Sequence, residues 1–342
     1  MNILYTEELY NPEVKEQFLE HVGEDSAATY LRILAISADH ERQIGVDLFD
    51  MNLQELADVM YAVNPLTVNA VRSNISYTRR YIDWAIKRGY TKSNINPLRG
   101  IDHTWGKQFI DYSKKLYLSE EELFEHEEDL VNGQDAFVLR ALFSGLYGDG
   151  LSELLNLKIE DIKYQSKIIK LYDDSKGERE LTFLEDNQEK DFERLYSLAE
   201  EAHGQSKYLN KNGTAENIRR LTSELIDSPF ILKPSKTRNS GEIRVSNHVI
   251  YRRLGNISEM FEIPYLTTKN IWKSGQIKMA KDLLERDNTN KLDIKHLVEI
   301  AIRFNLVGEG DIKNVIPSKV YSMKDYINPR NLKELYDLDV EV

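Results

Sequence analysis

Apolar positions recur with helical period through much of the first hundred residues. The clearest run is Thr67–Arg88, where Val68, Val71, Ile75, Ile82 and Ala85 share one stripe and Thr78 fills the gap between Ile75 and Ile82. Gly89 follows the last basic pair of that run, as a helix-ending glycine should. Ser26–Ser37, with Ser26 as N-cap, and Asn52–Val63 read as further helices. Asn96-Pro97 then breaks the pattern into a turn. Ile101–Tyr117 has no clear period and reads as a connecting segment that carries Lys107, Lys114 and Lys115.

From Leu118 onward the pattern is mixed. Ser119 caps a helix with acids in its first turn, Phe137–Tyr147 is an apolar helix, and Ser152–Leu157 is a short amphipathic one. Ile162–Tyr164, Lys167–Tyr172 and Glu178–Phe183 read as short strands with turns between them, and the chain beyond Phe183 is mostly helical. The pattern therefore predicts a mainly α fold with a small antiparallel β-sheet (α+β). Two domains are expected, a helical one over 1–105 and a mixed one over 116–342, joined by a linker over 106–115. A chain of 342 residues is long enough for two separate cores.

Composition narrows the chemistry. No apolar run approaches the ~20 residues of a membrane span. The N-terminus has early acids and no cationic leader, so no signal peptide is expected. With no cysteine, disulfides, thiolate catalysis and cysteine-ligated zinc are excluded, and a cytoplasmic location in a host cell is the expectation. The seven histidines form no metal-ligand spacing, there is no phosphate-binding P-loop and no nucleophile elbow, and Gly145–Gly150 lies between helices instead of after a strand. No metal or cofactor is expected.

Net charge is −12, yet affinity for nucleic acid depends on phosphates neutralised locally and not on the total. Acids crowd Glu120–Asp129, Glu185–Glu201 and Asp282–Asp287, and bases crowd three other places. The helix Thr67–Arg88 carries Arg72, Arg79, Arg80, Lys87 and Arg88 with Asp83 its one acid, and Arg72/Arg79 and Arg80/Lys87 are seven apart, so each pair lies on nearly one side. A second cluster holds Lys233, Lys236, Arg238, Arg244, Arg252 and Arg253, interleaved with small polar residues and Tyr251. The third is Lys269, Lys273, Lys278 and Lys281. Each could be a solvated face; three acid-poor clusters in so acidic a chain point to a nucleic-acid partner.

The stretch Ala141–Ile162, ALFSGLYGDGLSELLNLKIEDI, resembles the tyrosine recombinases (phage integrases), with Ser152-Glu153-Leu154, Leu157 and Asp161-Ile162 in register with that family's T-G-L-R-x-S-E-L and L-x-W-x-D-I motifs. The resemblance implies a helical core-binding domain and a catalytic-type domain that together clamp duplex DNA. It also implies a reaction in which a tyrosine attacks a phosphodiester while arginines stabilise the charged phosphate. Here the first arginine position is Gly150. In Thr267–Ser274, Lys269 occupies the histidine position and Trp272 the second arginine position. Lys176 is the strand-lysine candidate, and Tyr321, in Val315–Ser322, is the nucleophile candidate or else a packed aromatic.

The chain is also similar to the master repressors of SPβ-type prophages, which bind operators with a recombinase-like fold. The expectation is a DNA-binding transcriptional repressor that maintains lysogeny and does not cut. It would contact a double-stranded operator through Arg72, Arg79, Arg80, Lys87, Arg88, Lys107, Lys236, Arg238, Arg244, Tyr251, Arg252, Arg253, Lys269 and Lys273. A protein antirepressor or self-association on DNA is the expected further partner. The alternatives are an active integrase using Tyr321 and an accessory DNA- or partner-binding factor. The tail Lys324–Val342 is read as a short helix with an acidic end, docked either on a neighbouring protomer or on its own domain.

Overall fold

Helical periodicity in the N-terminal stretch becomes α1 (Pro12–Val22), α2 (Glu24–Ile44), α3 (Leu53–Val63) and α4 (Val68–Arg88). A computed structural model describes residues 9–102, 104–183, 188–210, 221–236, 244–307 and 317–341. The chain falls into two units, Met1–Lys115 and Leu116–Val342. In the first, α4 starts on a Thr67 side chain that accepts from the Ala70 N–H and ends on Gly89 in the left-handed region, so both ends are satisfied locally. Asn52 forms a capping box with Glu55 at the start of α3. The helix expected over Ser26–Ser37 is longer than read: it begins after Gly23, and Ser26 lies inside it instead of capping it.

The stripe of α4 is also wider than its sequence suggests. Thr78 is fully buried and returns its hydroxyl to the Asn74 carbonyl, while Tyr81 and Trp84 join the core against Phe18 of α1. The first part of the segment 106–115 packs on the first unit. Trp105–Phe109 forms a 3₁₀ turn whose Phe109, with Ile110, is buried in the first unit's core, and Gly106 lies so close to Val71 that a Cβ there would meet its side chain at 2.3 Å. Three apolar contacts therefore hold this segment to α3 and α4 despite its lack of period.

The second unit contains α5 (Glu120–Asp129), α6 (Gly133–Phe143), α7 (Ser152–Asn156), β1 (Ile162–Lys163), β2 (Ile168–Asp173), β3 (Gly177–Thr182), α8 (Glu189–Gly204), β4 (Lys207–Leu209), β5 (Thr222–Glu224), α9 (Asn247–Met260), α10 (Thr268–Arg286), α11 (Ile294–Arg303), α12 (Ser318–Ser322) and α13 (Pro329–Tyr336). β1, β2 and β3 make one antiparallel sheet, with Ile169 opposite Leu181 on its buried face. β4 and β5 pair separately, which the sequence reading did not expect. Buried α6 packs between α8 and α10, and Gly275 of α10 comes so near α6 that a Cβ would fall 1.7 Å from the Phe143 carbonyl oxygen. The tail packs on its own unit: Leu332 of α13 is buried, and Leu292 N–H donates to the Glu341 carbonyl.

Candidate nucleic-acid interface

In the first unit the basic residues of α4 lie away from the buried stripe. Arg72, Arg80, Lys87 and Arg88 are exposed and Arg79 is half-buried. Arg80 donates to the Tyr30 hydroxyl at 3.1 Å and Arg88 lies over the Trp84 ring, so both heads are oriented by aromatics and not by carboxylates. Asp83, the acid of this face, is taken by Arg99 and Asn96. Burial opposes the Asp83 charge, but these two donors, with Arg99 and Arg79 nearby, hold its carboxyl below the usual range. Lys87 and Lys107 are exposed and make no ion pair among the described residues.

In the second unit Gly150 lies in the turn Gly145–Leu151, Trp272 packs on Tyr147 of that turn, and the Lys176 turn joins it through Asp173, while no contact brings Lys269 or Tyr321 to it among the described residues. Gly150 and Leu151 both take left-handed backbone, at φ 58° and 71°, and a Cβ on Gly150 would lie 3.6 Å from Asn247 Nδ2 at the start of α9. One turn along α9 stands Tyr251, whose hydroxyl is pushed up first by burial and then by its neighbour Tyr147. Tyr147 in turn packs on Trp272, with ring centroids 5.0 Å apart, and Phe304 meets the other side of the indole at 6.0 Å. Trp272 is thus a buried packing residue, with an indole N–H that has no acceptor among the described residues. No guanidinium stands at position 150, 269 or 272.

The arginine that sequence reading missed is Arg179, on β3. Its Nε and Nη2 donate to Glu153 at 2.6 and 2.8 Å, and its remaining contacts go to the Gly145 and Arg303 carbonyls. Glu153, fully buried, also accepts from the Tyr147 N–H and from Asn305 Nδ2. These contacts fix the glycine turn to the sheet and to the end of α11, and they occupy the guanidinium. Arg179 stands between Glu178 and Glu180 in the strand sequence, outside the basic clusters, so charge density gave no signal for it.

Lys176, in the β2–β3 turn, donates to the Asn305 carbonyl at 2.5 Å. Its turn is held by Asp173, whose charge burial disfavours but whose carboxylate accepts from the N–H groups of Ser175, Asp149 and Lys176 and so titrates below the ordinary range. Arg244 reaches Asn156 and, at 3.4 Å, Asp174, and remains partly exposed. Lys236 is exposed, 3.8 Å from Glu224, and Arg252 is exposed with no ion pair among the described residues. Arg238 lies outside the described residues.

α10 carries the two cations closest to the Trp272 site in sequence. Lys269 is exposed; Lys273, one turn on, is half-buried with its Nζ 4.3 Å from the Tyr326 ring centre. Neither makes an ion pair among the described residues. Burial, helped by Lys269 and opposed by Asp325, pulls the Lys273 ammonium down to about 8. Tyr321 is 52 % exposed on α12, and its hydroxyl has no hydrogen-bond partner among the described residues.

Three of the expected cations are structural. Arg253 is buried, donating to Gln134 Oε1 at 3.1 Å, facing Asp135 at 3.8 Å and lying over the Tyr208 ring, so it cannot reach a duplex. Lys278 is buried among Asp191, Asp282 and Glu120, and Lys281 pairs with Glu285. Acids from α5 and α8 neutralise a cluster that looked acid-free along the chain.

Family models for "MrpR, C-terminal catalytic domain" and "MrpR, N-terminal core-binding domain" match residues 117–337 and 9–87. The "SPbeta prophage-derived uncharacterized protein YopR" of Bacillus subtilis (strain 168) is 30% identical over 334 residues, covering 96% of this chain and 97% of that protein. Among solved structures, a lambda integrase dimer bound to a COC′ core site is similar at 10% identity and TM-score 0.46, over 92% of this chain and 77% of that one. The Tn1549 transposon integrase in complex with a circular intermediate DNA gives 11%, 0.45, 94% and 96%, and XerA recombinase 14%, 0.39, 95% and 97%.

Proposed function

Because the chain belongs to the MrpR family, and its relative is described as prophage-derived, we propose that it is a sequence-specific DNA-binding repressor of a prophage that holds duplex DNA without cutting it. The observation that carries this reading is the composition of the recombinase-register site. Position 150 has no side chain, position 272 is a packed indole, and the guanidinium of Arg179 is already engaged by Glu153 and two carbonyls. Loss of one preorganised donor at a developing oxyanion typically costs ~10²–10³ in rate, so a site lacking two charged forks has no useful cleavage rate. The exposed Lys87, Lys107, Arg252 and Lys269, with the half-buried Lys273, make no ion pair among the described residues and so support a reading in which they meet phosphates. Such a protein works in the host cytoplasm, on the nucleoid.

The test has two arms. Selection from randomised and prophage-derived duplexes should enrich one motif, bound with steep salt dependence. A nicked suicide duplex carrying that motif should give no covalent protein–DNA adduct. An adduct present with the natural chain and absent with Tyr321→Phe would make the protein an active recombinase. Failure to enrich any motif would favour an accessory role without its own operator.

A further inference from the structure

The first unit contains a small cavity that none of the basic clusters uses. It holds about 110 Å³ between α2 and α4, with the end of α3 closing one side. Its apolar wall is Ile33, Ile36 and Val63. Its polar lining is Thr29, Arg32, Asn74 and Tyr77. Asn74 is only 7 % exposed, yet its amide Nδ2 has no hydrogen-bond partner among the described residues. A buried donor left unpaired is costly, and protein interiors seldom tolerate one without a ligand or water to satisfy it. Arg32, at the mouth, is exposed and makes no ion pair among the described residues.

The cavity adjoins the basic face of α4. Tyr77 packs edge-on against Tyr30 at 5.1 Å, and the hydroxyl of that same Tyr30 receives Arg80. Tyr77 and Arg80 are three residues apart on α4, so the cavity lining and the Arg80 head lie on neighbouring turns of one helix. What enters must offer an acceptor oxygen to the Asn74 amide and an apolar group to Ile33, Ile36 and Val63. A phosphate satisfies the first demand and not the second. In the major groove, thymine presents its O4 acceptor beside its C5-methyl group, and no other base pairs those two features.

We propose that this cavity reads a thymine in the operator, its methyl seated on the apolar wall, its O4 accepting from Asn74, and Arg32 held on the adjoining base or phosphate. The proposal rests on the DNA-binding reading above and assigns part of its sequence specificity to residues outside the basic clusters.

The full-length chain is tested on its selected duplex. Each thymine is replaced in turn by 2′-deoxyuridine, which removes only the methyl, and affinity is read by fluorescence anisotropy. At one thymine per bound chain, methyl removal should weaken binding about fourfold. Asn74→Ala should weaken the natural duplex about fivefold. Ala28→Leu, placed at the exposed mouth where folding is not at stake, should abolish the methyl effect. If the duplex is bound specifically but no thymine responds to methyl removal, or if Ala28→Leu leaves the response intact, the cavity is not a base reader while the repressor reading stands. If no motif is enriched at all, both fall together.

Discussion

Lys273 offers the sharpest quantitative test of the proposed interface. Its ammonium is half-buried over Tyr326 without a carboxylate partner, and burial with Lys269 nearby pulls it down to about 8 from its ordinary 10.5. A phosphodiester placed beside it supplies the missing counter-charge and returns its pKa toward the ordinary value. Binding then takes up a proton wherever the free chain has Lys273 neutral and the bound chain has it charged. The sign follows directly: at pH 7 Lys273 is charged in both states, and above 8 the free chain must be protonated before it can bind. Between pH 7 and pH 9 affinity should fall by about tenfold, or ~1.4 kcal/mol, from this residue alone. Lys273→Arg keeps the charge and cannot titrate in that range, so its affinity should be nearly flat from pH 7 to 9. The assay is anisotropy at constant ionic strength, since salt would otherwise dominate the slope. An equal pH dependence in the natural chain and in Lys273→Arg would refute a phosphate contact at this residue.

Other outcomes separate structural cations from binding ones. Arg253→Ala removes the countercharge of buried Asp135 and should destabilise the chain by about 3–5 kcal/mol, measured by urea unfolding. Its neighbour Arg252→Ala should change stability by less than ~0.5 kcal/mol and instead weaken DNA binding with a shallower salt slope. Gly275→Ala places a Cβ 1.7 Å from the Phe143 carbonyl oxygen, so α10 must move off α6, and the melting temperature should drop by the equivalent of about 1–3 kcal/mol or more. Glu120 is pushed up to about 7 by burial and by Asp191, with Lys278 and Arg140 opposing; its native state holds a proton that the unfolded chain releases near the ordinary 4.5. Its contribution is therefore full below 4.5 and is lost as pH rises through about 7. Glu120→Gln, which cannot titrate, should show a flatter decline over that window in chemical denaturation at a series of pH values.

The α+β pattern and the three-stranded sheet were legible because each strand alternates or runs apolar over a single buried face, as Ile169, Leu171 and Leu181 do. Helix starts marked by Thr67, Asn52 and Ser119 were legible because the cap is a local interaction. The packing of Phe109 and Ile110 in the segment 106–115 was not legible because these side chains attach by long-range contacts that leave no period. Charge clusters failed in the same way. Arg253 and Lys278 look free along the chain, and the acids that bury them come from α5, α6 and α8. Asn74 escaped notice because a buried amide on the flank of a stripe looks like any polar helix residue until the neighbouring helix is in place.

The S-E-L motif and the positions where the family resemblance places arginines belong to different side chains, which explains how the motif is legible while Gly150 and Trp272 stand in the other two places. Leu154, Leu155 and Leu157 are buried, and Glu153 anchors Arg179, the Tyr147 N–H and Asn305, so this stretch is fixed by packing and by a buried charge pair that is expensive to break. Gly150 is exposed, and Asn247 is the nearest neighbour a side chain there would meet, so side-chain packing does not dictate this position, while its left-handed backbone at φ 58° favours glycine. Trp272 sits where the resemblance places an arginine, and its tilted contact with Tyr147 and T-shaped contact with Phe304 make the indole part of the core. Trp272 is only 9 % exposed, so a guanidinium in its place would bury a charge, which desolvation opposes. The packing around Trp272 thus favours an apolar ring over a cationic fork at this position.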